Sequence, residues 1–172
     1  FSLSGSGAFA LTATGKIYYW GRPANVNGTV NTATSYNYAY DMSAQIPSGT
    51  SVVELVVLGK STGTNVLFLL CNNLKVYSCG LNDDGVLGVN NASTTFNQPS
   101  FQQVNGLSNI VHIDGNTEAS LFTMGAMSST GRIYGWGDGV ACMLGIAAQS
   151  SFTTTYTNIS PVDIFGVDGF MD

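Results

Sequence analysis

The sequence predicts an all-β chain of three repeated small sheets, and three observations carry that expectation. A short phrase recurs as "GKIYYWG" (15–21), "LKVYSCG" (74–80) and "GRIYGWG" (131–137). Its closing glycines, Gly21, Gly80 and Gly137, stand 59 and then 57 residues apart, so three such units fill the 172 residues. A period in this range marks a repeat architecture. Composition agrees. Only 9% of residues are charged and 44% are hydrophobic. Gly, Ser, Thr, Asn and Tyr take the places usually held by Lys, Glu and Arg, a bias that disfavours helices and suits strands joined by turns.

Each unit contains a hairpin. The apolar runs "AFAL" (8–11), "LFLLC" (67–71) and "GAM" (125–127) precede the phrase, separated from it by the turns "TATG", "NNL" and "SSTG". Gly15 and Gly131 are placed to take positive φ in those turns. Within "KIYYWG" both alternating sets, Ile17/Tyr19 and Tyr18/Trp20, are bulky. A strand with one wet face would alternate apolar with polar, so this one expects cover on both sides. A further strand per unit is expected at "SVVELVVL" (51–58) and "NIVHI" (109–113). Small sheets covered on both faces and repeated along a chain describe propeller blades or a stacked solenoid. The expected units are residues 1–58, 59–114 and 115–172 of a single repeat domain.

After the closing glycine, "GLNDDGVLG" (80–88) and "GDGVACMLG" (137–145) carry Leu-Gly at the same offset. The succession "ALTATGKIYYWG", "CGLNDDGVLG", a proline-containing stretch and "GLSNIVHIDG" resembles the RCC1 repeat, the regulator of chromosome condensation type. The resemblance covers all three units, is strong in the hairpins and over 80–88, and is weak across 22–50 and 146–165. It implies RCC1-like β-propeller blades, three where that family closes a ring of about seven. It also implies guanine-nucleotide exchange on a small GTPase together with chromatin binding. Several positions depart from the pattern. Cys79 takes the Trp position of unit two, Cys142 takes a Gly position in unit three, and unit one carries the longer "RPANVNGTVNTATSYNYAY". The histidine usual before the first strand is absent, with Ala8, Leu67 and Met124 near that place.

Charge argues against several classes of partner. The net charge is −5, and the five basic residues, Lys16, Lys60, Lys75, Arg22 and Arg132, are scattered. No patch can neutralise several phosphates, which disfavours nucleic acid and anionic membranes. No apolar run approaches the ~20 residues of a membrane-spanning helix. A chain opening on Phe1 is expected to be processed or part of something longer. Cys71, Cys79 and Cys142 form no CxxC pair and show no metal-ligand spacing, leaving one disulfide plus a thiol, or three buried thiols.

Catalytic chemistry finds no footing, so neither an enzyme, a cofactor nor a metal is expected. "VVELVVLGKST" (52–62) mimics a phosphate loop but puts Glu54 where its first glycine belongs, and strand-like sequence follows. His112 is the only histidine, and a partly buried strand residue is expected there. Asp83-Asp84 reads as turn chemistry.

Three sequons, at Asn27, Asn91 and Asn158, fall after the hairpins, where loops are accessible. With the scarce lysine they lead us to expect an extracellular or cell-surface glycoprotein. Tyr36, Tyr38 and Tyr40 of "SYNYAYDM" share one side of a strand-like stretch. They suit an outer blade strand, or a contact surface for a partner copy or for sugar rings. "NGLSNIVHIDG" (105–115) aligns with "FGVDGFMD" (165–172), whose missing half resembles the opening "FSLSG". Phe1 and Leu3 of one copy are therefore expected to complete a strand begun by Phe170 and Met171 of another, or of further repeats in the same chain. The expected function is a structural and interaction protein that self-associates into a larger propeller or fibre. A carbohydrate- or ligand-binding propeller is the alternative, and nucleotide exchange the third.

Overall fold

The computed structural model describes residues 2–3, 7–21, 36–59, 65–82, 85–90, 97–118, 121–138 and 157–163. They form three four-stranded antiparallel sheets. The first holds β1 (Ser2–Leu3), β2 (Gly7–Leu11), β3 (Ile17–Gly21) and β4 (Tyr36–Asp41). The second holds β5 (Val52–Gly59), β6 (Asn65–Cys71), β7 (Val76–Leu81) and β8 (Asn97–Gln103). The third holds β9 (Ile110–Glu118), β10 (Leu121–Ser128), β11 (Ile133–Asp138) and β12 (Thr157–Asp163). A short 3-10 turn, Ser43–Gln45, joins the first two sheets.

Within each sheet the strands keep chain order, and contacts between sheets concentrate on β1, β5 and β9. Sheets that converge along their first strands are propeller blades around an axis. Sheet and repeat unit are out of step: residues 58/59 fall inside β5 and 114/115 inside β9. Backbone pairing decides the difference, since β5 and β9 bond to the hairpins that follow them.

The repeated phrase has a backbone cause. Its three closing glycines take φ of 111°, 115° and 98° at Gly21, Gly80 and Gly137, each where the register shifts between the second hairpin strand and its outer neighbour. A Cβ at Gly80 or Gly137 would collide with the carbonyl oxygen of Asn65 or Phe122 on the adjacent strand. Only glycine fits such a bulge. The hairpin turns repeat as well: Gly15 N–H donates to Thr12 O, Leu74 N–H to Cys71 O and Gly131 N–H to Ser128 O, all within 3.0 Å. In the second turn Leu74 holds φ 60° where the other two have glycine.

The core lies between blades. Every residue of β6, "NVLFLLC", is buried. Its alternation sends Leu67, Leu69 and Cys71 toward the first sheet, against Phe9, Ile17, Tyr19 and Met42. Val66, Phe68 and Leu70 go the other way, against Ile113, Phe122, Met124 and Trp136 of the third sheet. Each such side chain contributes about 1.5–3 kcal/mol on burial. Cover on both faces thus holds for the middle blade. In the flanking blades the face turned away from the middle blade is only partly covered: Tyr18 and Trp20 are half-buried, and Met127 and Ile133 remain 39% and 37% exposed.

Candidate functional site

The innermost strands meet where chemistry-bearing side chains gather. Glu54 interrupts the apolar β5, and its register partner Leu70 puts it on the side facing the third sheet. Its carboxylate lies 3.1 Å from His112 Nδ1 through both oxygens and accepts the Ile113 N–H at 2.9 Å. The reason is local to β9. That strand pairs with β10 along one edge, so its other edge faces the axis with backbone donors to satisfy. Glu54 satisfies one of them and holds the imidazole beside it.

The His112 pKa lies above the ordinary 6.5, first through the hydrogen bond to Glu54 and then through that carboxylate's charge; desolvation opposes them, and the Asp114 charge adds the least. Asp114 Oδ1 accepts the Gly115 N–H at 2.8 Å. A cavity of about 370 Å³ opens beside these groups, lined by Leu11 of the first blade, Glu54, Leu55 and Val56 of the second, and His112, Ile113 and Asp114 of the third. His112 differs from its expected partial burial: its side chain is 57% exposed, because β9 borders the axis. In the sequence Glu54 stands out only as the residue that spoils a phosphate loop. The available signal was an acid inside one first-position strand and the sole histidine inside the next.

A second constellation ties blades together. Trp136 of β11 donates its Nε1–H to Val86 O at 2.6 Å and stands edge-on to Phe68, with ring centroids 6.0 Å apart. The receiving loop is held by its own blade: Asn82 Oδ1 accepts the Leu87 N–H, and Ser78 Oγ–H donates to Leu87 O. Val86 and the Leu-Gly that follows it therefore form the seat for the next blade's tryptophan, with Gly88 leaving room for the indole.

The other anticipated residues are placed as follows. Tyr38 and Tyr40 lie on β4, the outer strand of the first blade, 72% and 37% exposed, and Tyr36 pairs through its backbone with Gly21. Asn158 lies in β12 opposite Gly137 rather than in an irregular segment. Leu3 pairs with Ala8 in β1. Asn27, Asn91, Phe1, Phe170, Met171, Cys142 and Asp83-Asp84 lie outside the described residues. Cys71 and Cys79 are both buried; burial raises the Cys71 thiol against an opposing hydrogen bond with Thr50, and pushes the Cys79 thiol far above its ordinary range. Among the described residues no three His, Cys, Asp or Glu gather as a metal site. After the Gly-Lys-Ser-Thr stretch the chain enters strand β6, not a helix.

These blades, hairpin bulges and the tryptophan seat define a class, the β-propeller repeat proteins. Among solved structures the chain is similar to yeast RCC1 (Prp20) in its complex with Kap60, at TM-score 0.70 and 18% identity over 92% of this chain and 35% of that one. It is similar to Prp20p of Saccharomyces cerevisiae, a structure described with that protein's binding to Gsp1p and histones, at TM-score 0.69, 18% identity, and 92% and 36% coverage. Human WBSCR16 follows at TM-score 0.68 and 13% identity, over 94% of this chain and 36% of that one. At these identities the likeness concerns the fold, which is that of the RCC1 propeller. The chain spans about a third of the length of these proteins. No family model and no curated protein sequence matches it.

Proposed function

We propose that the chain is a non-catalytic interaction module whose blades act by docking against further blades, either copies of itself or further repeats of the same protein. One observation carries this reading. The pair Leu11/Ile17 faces the second blade, and the equivalent Leu70/Val76 faces the third, with Ile17, Leu70 and Val76 no more than 2% exposed. The third member of the series, Met127/Ile133, occupies the same hairpin position and is exposed. An apolar pair repeated where its predecessors are covered is a docking face.

Strand completion between Phe1 and Leu3 and the segment holding Phe170 and Met171 belongs to the same reading. So does an extracellular setting in which Asn27, Asn91 and Asn158 carry glycan. Scarce lysine and the sequons support that setting. The exposed Tyr38 favours a second reading, a carbohydrate contact on the outer strand; glycan-array binding that survives Tyr38→Ala would remove it.

Electron microscopy and sedimentation of the native protein, with intact mass on the same sample, test the first reading. Assembly, or extra blades in a longer chain, is expected, together with glycan mass. A three-blade monomer at tens of micromolar would end it.

A further inference from the structure

The inner strands of the second and third blades are joined by two side-chain bonds that both end on Glu54. They respond differently to protons. The Ile113 N–H donates at any ordinary pH. The His112 contact changes character, because a protonated imidazole is a cation against a carboxylate, whereas a neutral ring offers one N–H and no charge. We propose that Glu54 and His112 form a proton-operated latch between the second and third blades, closed when His112 carries a proton and loosened when it does not.

The surroundings agree with that direction. Among the described residues the charges that act on His112 are Glu54 from β5 and Asp114 from β9, both acidic. The register neighbour from β10 is Met127, and beside Glu54 on β6 stands Leu70, neither of which titrates. Both acids favour the charged ring, in keeping with its raised pKa. A group whose folded value is raised stabilises fully below its unfolded value, about 6.5, and loses that contribution as pH climbs through the folded value. The latch therefore closes below about pH 6.5 and opens as pH climbs through the raised folded value. Because the imidazole is 57% exposed, the effect is a bias on blade spacing and not a switch for unfolding. The cavity shares Glu54 and His112 in its wall, so its shape follows the latch.

Proton NMR of the whole chain tests this directly, since its single histidine gives one imidazole Hε1 resonance. The signal is expected to titrate above 6.5 and to move back toward 6.5 in Glu54→Gln, which keeps a carbonyl acceptor for Ile113. Amide exchange of Ile113, corrected for intrinsic rates, is expected to be about two- to five-fold slower at pH 5.5 than at pH 8. In His112→Gln that ratio is expected to fall to one. Titration of wild-type His112 at or below 6.5 overturns the latch, even where the variants fail to fold. So does an Ile113 ratio that is the same in wild type and His112→Gln.

Discussion

Leu74 and Trp136 show how much one position carries when it repeats. The hairpin turn needs a left-handed residue, and two of three copies use glycine; Leu74 takes the same conformation at φ 60°, 40% exposed. A non-glycine residue there costs roughly 1–2 kcal/mol, partly offset by the entropy that glycine loses on folding. Leu74→Gly is expected to stabilise by about 0.5–1 kcal/mol, measured as a higher denaturant midpoint at unchanged slope. Trp136 works in the opposite sense. Trp136→Phe keeps the ring and removes the Nε1–H, leaving the Val86 carbonyl in the blade interface without that donor. It is expected to cost about 1–3 kcal/mol in chemical unfolding.

At the scale of elements, the hairpin and its closing bulge form the unit that repeats. The second hairpin strand meets its outer neighbour at a register shift in all three sheets, and a glycine stands at each. Gly80→Ala forces a Cβ against the Asn65 carbonyl at φ 115°. The expected result is destabilisation of about 2 kcal/mol or more, seen as a lowered thermal midpoint, from strain and a displaced β6. The strands at 51–58 and 109–113 were also legible, as apolar runs. Their sheet membership was not, because whether β5 joins the hairpin before it or after it depends on long-range pairing. The units expected at 1–58 and 59–114 divide the chain one strand away from its sheets for that reason.

Over the whole molecule, stability resides between blades, and the middle blade is the part with both interfaces filled. The same hairpin pair that is buried as Leu70/Val76 stands open as Met127/Ile133. Met127→Asp with Ile133→Asp is expected to leave the fold near its native stability, since both side chains are already part-exposed. It should lower any assembly measured by sedimentation by ten-fold or more, as charges enter an apolar contact. Unchanged assembly would move the docking face elsewhere.

The chain's own residues determined the all-β class, the three hairpins, the spacing of the recurring glycines and a content of only five basic residues, because these follow from local sterics, alternation and composition. They also marked Cys79 as standing where the other units have tryptophan. The meeting of Glu54 with His112 across 58 positions of chain was settled only by the tertiary structure. So were the exposure of that histidine and the seating of Trp136 on Val86. Each depends on which strand borders the axis and which blade follows which. Those facts arise when separate sheets pack, and no spacing within one repeat contains them.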